Sequence, residues 1–360
     1  MSDFFFKFEN CVENLIRNDP DEQTTTFTKS KVAKGKKLIG VDPDAYSPAV
    51  VESTRQEQIG TKEHLKNISL VNIKDWDWVE IKQDLCKTYS LQREDVLLAT
   101  EDACKDQVPE DDILELRSLE KLKIEWPFLF TAKGLEIHHN LLTKRDLGTK
   151  CASFMKEHLE VLLHYLTSCT KSSNVDNLFI RLRVEMACRD VSIDTKLLMM
   201  VQMLSNHFKE AHLFSSLFVP VERTVQPSSF QYTVLEEIQG PCVVAQDTNI
   251  YAAKAYFVCA DKVHLVEVSN PKEALVALFE LCFCLNLEYP ELSLTFEFLE
   301  RYVFEVGLVD TRVKKRGKQV VVLSDQVKRL MEGFEEFVEQ FKKELPEYLA
   351  HTYSDMEMEL

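Results

Sequence analysis

Asp75 and Asp77 alternate with Trp76 and Trp78, which puts carboxylates and large aromatics in one short stretch. Two carboxylates are too few for most oxygen-ligated cations, which gather about six oxygens or more. The pattern therefore predicts surface charge beside half-buried tryptophans. Six of the nine histidines fall at 138, 139, 158, 164, 207 and 212, and none forms the i, i+4 pair of an H-E-x-x-H zinc site. They are expected as helix-surface or hydrogen-bonded core residues. The ten cysteines (11, 86, 104, 151, 169, 188, 242, 259, 282 and 284) contain no C-x-x-C. Zinc sites use closer pairs with suitably spaced histidines, so these read as reduced thiols behaving as small apolar side chains.

Motifs that act through local geometry are missing as well. Nine glycines are scattered along the chain, and neither G-x-x-x-x-G-K-[ST] nor G-x-G-x-x-G occurs. There is no G-x-S-x-G elbow and no kinase signature set. The expectation is a non-enzymatic protein with no cofactor, no bound metal and no small-molecule substrate.

Charge narrows the partners. The chain has 360 residues and a net charge of −16, which argues against a general nucleic-acid surface. From Glu332 to Leu360 there are nine acids and two bases. Two basic runs stand apart from this acidity. One is Lys29, Lys31, Lys34, Lys36 and Lys37, and the other is Arg312, Lys314, Lys315, Arg316 and Lys318. Each reads first as a solvated loop, and second as an import signal or a phosphate-contacting patch; the second run is the stronger nucleic-acid candidate.

The elements that would position these groups are mostly helical. Residues 3–17 form an amphipathic pattern with Phe5, Phe8, Val12 and Leu15 on one side, stopped by Asn18-Asp19-Pro20. Residues 18–60 are Thr-, Lys- and Asp-rich with little periodicity and read as a linker. A globular body is expected over 61–330, with helices at about 91–104, 109–125, 132–143, 147–170, 175–189 and 194–209. Leu213 to Val221 reads as an apolar loop, and Tyr232 to Ile238 and Cys242 to Ala245 as short extended pieces. Lys254–Cys259 and Val263–Val268 alternate around Ala260-Asp261-Lys262, which predicts a β-hairpin.

Two apolar helices should follow, joined at Tyr289-Pro290. The first starts with Asn270 as N-cap, Pro271 at the first helical position and Glu273 three residues on. From Ala274 to Leu287 it is apolar apart from Glu280 and Asn286, so burial on all sides is expected. The second has Leu292, Phe296, Leu299, Val303 and Val306 on one face, with Glu297, Glu300, Arg301 and Glu305 elsewhere. A last helix over 324–349 carries Val327, Leu330, Phe334, Phe337, Phe341 and Leu345 as one stripe, followed by an acidic tail at 350–360. That stripe either docks on the chain or pairs with another helix, and its period lasts too few turns for a coiled coil.

The segment from Glu125-Trp126-Pro127-Phe128-Leu129-Phe130 to about Leu330 resembles the carboxy-terminal region of the sterile-alpha-motif domain-containing protein 3-like group, which is numerous in fish. The resemblance rests on that W-P-x-L-F opening, the hairpin around Ala260-Asp261-Lys262, and Leu285-Asn286-Leu287-Glu288-Tyr289-Pro290-Glu291-Leu292 followed by Thr295 to Arg301. It covers a little over half of the chain. Longer members carry a sterile alpha motif, a helical interaction module, and residues 63–122 are where a divergent copy would lie. The group's multiplicity implies a link to mobile elements or rapid gene expansion, and no activity carries over residue by residue.

The reading is thus a predominantly helical α+β fold with a small sheet near residues 240–268 and a two-helix hairpin after it. Protein–protein interaction is the expected function, through a partner or a second copy, with Phe5, Phe8, Phe334, Phe337 and Phe341 as candidate contacts. The other reading is a mobile-element-derived nuclear protein that contacts nucleic acid through Arg312 to Lys318. The amino terminus MSDFFFKFENC lacks the basic start and clean apolar core of a signal peptide. No uncharged apolar run reaches the length of a membrane span. The expected location is inside the cell, cytoplasmic or nuclear.

Overall fold

Thr54 and Glu57 start the ordered chain. The Thr54 hydroxyl accepts from the Glu57 N–H (3.3 Å), and the Glu57 carboxylate accepts from the Thr54 N–H (2.7 Å), a complete capping box. The first helix, α1, therefore runs Arg55–Ser69, and the stretch from 55 to 60 expected as linker is helical. The structure is a computed structural model that describes residues 53–100, 119–170, 173–188, 191–236, 238, 240–287, 293–306, 312–315, 318–321 and 323–344. Phe5, Phe8, the first basic run, Arg316 and the acidic tail lie outside these residues.

After α1 come α2 (Trp78–Lys87), α3 (Tyr89–Thr100) and α4 (Leu119–Glu125). A 3-10 turn at Pro127–Phe130 leads into α5 (Ala132–Thr143). Gly134 permits this tight join, because a Cβ there would sit 1.8 Å from the Phe128 carbonyl oxygen. The helix expected over 147–170 is two: α6 (Leu147–Glu157) and α7 (Leu159–Cys169), broken where His158 leaves helical geometry (φ −127°, ψ −23°). The His158 ring at that break packs among Phe154, Tyr302 and Phe334. Helices α8 (Ser173–Cys188) and α9 (Ile193–His207) follow, and the latter carries an almost unbroken buried run from Leu197 to Ser205 except Gln202.

The expected loop at 213–221 is instead a short helix, α10 (Ala211–Leu217), and a strand, β1 (Phe218–Pro220). Phe214, Leu217 and Phe218 are buried, and β1 pairs in parallel with β2 (Cys242–Ala245). The piece expected to extend from Tyr232 begins instead inside a single helical turn, α11 (Phe230–Thr233). β2 pairs antiparallel with β3 (Tyr256–Ala260), and β3 with β4 (Val263–Val268), giving the sheet order β1-β2-β3-β4. Asp261 and Lys262 both have positive φ (48° and 64°), the backbone that matches strand twist in a two-residue hairpin.

The helix α12 (Pro271–Cys284) is buried almost all round and packs on α5, α9 and the sheet. Asn270 Oδ1 accepts from the Glu273 N–H (2.9 Å) as expected, but the Glu273 carboxylate turns to the Ser269 N–H (3.3 Å). In the second half of the hairpin, α13 (Ser293–Phe298) is capped from a distance. The Glu210 carboxylate accepts from the N–H groups of Leu294 (2.9 Å) and Thr295 (3.0 Å). α13 then widens into a π turn at Leu299–Val303. That extra residue per turn rotates Arg301 into the interior, where it is 6% exposed, against its expected place on the polar face. A two-stranded ribbon, β5 (Arg312–Lys315) with β6 (Lys318–Val321), precedes the last described helix, α14 (Asp325–Glu344). The fold is a helix-dominated α+β protein, as expected. Among the described residues no helix is long and apolar enough to cross a membrane.

Candidate functional site

The connection between α1 and α2 is a braced corner with an apolar outside. Leu70 and Val71 end α1 with backbone bonds to Asn67 and Ile68. Asn72 Oδ1 accepts from the Lys74 N–H (3.0 Å), forming a 3-10 turn over Ile73–Asp75. The Trp76 indole N–H donates to the Val71 carbonyl (3.1 Å), and Asp77 Oδ1 caps α2 by accepting from the Val79 N–H (2.8 Å). Underneath, Trp76, Trp78 and buried Phe128 meet edge to face, with centroids 4.8–5.9 Å apart. On this support Leu70 is 85% exposed, Ile73 70%, Val79 69% and Val71 51%. Lys74, Asp75, Asp77 and Glu80 surround them as an exposed polar rim. Asp75 and Asp77 are surface groups beside half-buried tryptophans, as their alternation predicted.

Nearby, α1 is tied to α3 and to the end of α4 around Trp126. The Trp126 indole N–H donates to Asp95 (2.8 Å), and Lys62 bridges Asp95 (2.8 Å) and Glu125 (2.9 Å) over the Trp126 ring.

A second feature is a buried layer of titratable groups between α3, α5 and α12. The Gln92 amide nitrogen donates to the Leu85 carbonyl and the Thr88 hydroxyl, both at 2.8 Å, so its oxygen is left to accept from His138 Nδ1–H (2.8 Å). His139 Nδ1–H faces the Arg145 carbonyl (3.2 Å). In both rings Nε2 is buried and has no hydrogen-bond partner. Burial pushes His138 down to about 3, helped by Arg93 and His139, and His139 down to about 4. Glu280 on α12 is also buried, with Oε1 unpartnered, and its carboxyl is pushed well up by burial and then by Glu136 and Asp146. Efficient general bases titrate near the working pH, so these two histidines are poorly matched to proton transfer at neutral pH. Glu300, on the π turn, is raised to about 7 by burial and by Glu297, against Arg301.

His64, Glu80 and Asp84 form a third group, with one ligand atom each within 4.8 Å of one another. No sequence spacing reveals it, because His64 comes from α1 and the carboxylates from α2. The Asp84 carboxylate is already bonded to His64 Nδ1 (3.0 Å) and Lys87 (2.9 Å), so its oxygens are taken up by neighbouring side chains.

Of the residues singled out from sequence, Phe334 and Phe337 share a neighbour in the core, and the described part of the second basic run shares one ribbon. Phe334 and Phe337 face inward: Phe334 meets His158, Tyr165 and Tyr302, and Phe337 meets Tyr165. Gly333 lets α14 lie close over α7, since a Cβ there would be 2.2 Å from the Tyr165 hydroxyl. These two phenylalanines hold the chain's own last helix and are not free surface for a partner. The side chain of Phe341 lies outside the described residues. The second basic run is not a loop: Arg312, Lys314 and Lys315 lie on β5 and Lys318 on β6, with Lys315 opposite Lys318.

No protein-family model, curated protein or solved structure matches the chain.

Proposed function

We propose that this chain is a non-enzymatic protein–protein interaction module acting inside the cell, and that it receives another protein on the corner formed by Leu70, Val71, Ile73 and Val79. The supporting observation is the contrast between outside and inside. Four large apolar side chains are at least half exposed within ten residues, on a backbone whose turns are hydrogen-bonded and whose aromatic base is packed. An apolar centre with a polar rim is the anatomy of an interface core. Burying these four side chains offers about 4–8 kcal/mol before the costs of association.

Affinity capture of the tagged full chain from nuclease-treated cells tests this. The comparison is with a Leu70→Ser, Ile73→Ser, Val79→Ser variant. Partners retained by the native chain should fall at least tenfold with the variant. Its thermal midpoint should stay within a few degrees, because substitutions at exposed sites cost little. Equal capture by both forms refutes the assignment.

One observation favours a second reading, in which the chain is a mobile-element-derived nuclear protein. The basic run forms a paired ribbon, and a two-stranded ribbon fits the major groove. On that reading, duplex DNA binds at 50 mM salt, weakens at least a hundredfold by 200 mM, and is lost when Arg312, Lys314, Lys315, Arg316 and Lys318 are replaced by Gln. Binding unchanged in that variant rules the ribbon out.

A further inference from the structure

The four-stranded sheet has two faces with different covers. Val243, Ala245, Tyr256, Val258 and Val266 belong to the main core with α12. Cys242, Val244, Phe257 and Cys259 belong to a small separate core closed by Val221, Phe230 and Leu235. In the register of β2 and β3, Cys242 lies directly opposite Cys259. Opposed residues on antiparallel strands have Cα atoms about 4.5–5.5 Å apart, within the roughly 4.4–6.8 Å that a disulfide spans. The two side chains share one face, the Cys259 thiol donates to the Phe257 carbonyl (3.4 Å), and both thiols are reduced. Cys282 and Cys284, two apart on α12, have no such alignment.

We propose that Cys242 and Cys259 are a reversible oxidation site, closed by a peroxide into a disulfide that ties β2 to β3. The thiolate of one cysteine attacks a peroxide oxygen, and the O–O bond breaks. This yields a sulfenic acid and hydroxide, which leaves as water with the thiol proton. The sulfur of the second cysteine then attacks the sulfenic sulfur, the S–O bond breaks, and a second water leaves with the second proton. The two sulfurs lose two electrons in all, and one hydrogen peroxide becomes two waters. A small-molecule thiol reverses the bond by exchange.

The surroundings set the rate. The Cys242 thiol and burial together push the Cys259 thiol well above its ordinary range, which keeps thiolate scarce in the closed sheet. The Lys123 ammonium acts the other way. It is held by donating to the carbonyl of His264 (2.8 Å), the residue paired with Cys259 across β3 and β4. The pair is therefore a slow sensor, reacting when local fluctuation exposes this face.

The test treats the folded full chain with hydrogen peroxide, alkylates the remaining thiols in denaturant, and maps the digest by mass spectrometry without reduction. The expected result is a Cys242–Cys259 linked peptide pair, a loss of two hydrogens, and a raised thermal midpoint, all undone by dithiothreitol. Cys169 is exposed, and burial of its sulfur pushes its thiol up to about 11, so its oxidation shows that the peroxide dose suffices for a thiol that is also mostly protonated. Oxidation of Cys169 while Cys242 and Cys259 stay individually alkylated overturns the proposal. So does linkage of either one to a different cysteine.

Discussion

Replacing Phe334 with Asp is expected to remove α14 from the body at a cost of about 4 kcal/mol or more. Phe334 is fully buried, and its ring meets side chains from α7, the π turn and the α6–α7 break. Truncating such an aromatic costs about 3–5 kcal/mol, and a carboxylate left in the same place adds its own desolvation. Phe334→Leu keeps most of the contact and should cost about 1–2 kcal/mol. Urea denaturation read by tryptophan fluorescence gives the loss. Limited proteolysis should show early cleavage between 325 and 344 in the Asp variant alone. If Phe334→Asp leaves the midpoint unchanged, the helix is not docked and its stripe is open to partners.

The second large effect is acid destabilisation carried by His138 and His139. Their folded values, about 3 and about 4, lie below the ordinary value of 6.5. Below about pH 6.5 the unfolded chain therefore takes up protons that the folded chain refuses, and stability falls as pH falls. The contribution is complete above pH 6.5 and is lost on the way to the folded values. By pH 4 it amounts to on the order of 3 kcal/mol for each ring. Arg93 faces His138, and Arg145 and Asp146 face His139. Glu280 and Glu300 have raised values and the opposite sign, since their charged forms cost stability as pH rises through the folded value. The clean readout is thus the difference between the native chain and His138→Gln, His139→Gln. The native chain should lose several kcal/mol against the variant from pH 7 to pH 4. A constant difference across that range means that the two rings titrate normally and are not sealed in the core.

Helices were legible in the sequence where one buried face leaves a repeating mark, as in α14, or where the whole run is apolar, as in α12. α5, α9, α12 and α14 lie within a few residues of their expected spans, and the β3–β4 hairpin was visible in its alternation. β1 was missed because three residues paired on one side carry too little alternation to see. Arg301 was misplaced because a π turn shifts the phase without changing the residue types. The break at His158 has no Pro or Gly to announce it, and the ring there packs against Tyr302 and Phe334, far away in the chain.

The site was harder to read for the same kind of reason. Apolar residues at 70, 71, 73 and 79 look like core until the packing of Trp76 and Trp78 on Phe128 shows which side faces out. The stripe at Phe334 and Phe337 showed an apolar face but not its destination, which depends on Tyr165 and Tyr302 far away in the chain. The pairing of Cys242 with Cys259 is set by strand register, and no spacing between them encodes it.

Hydrogen–deuterium exchange on the full chain, alone and bound to the partner recovered by capture, tests the central claim most directly. The account predicts new protection centred on residues 66–81, around Leu70, Ile73 and Val79, with little change in α14 or the β5–β6 ribbon. Protection confined to α14 or the ribbon, with the corner exchanging as in the free chain, would contradict it.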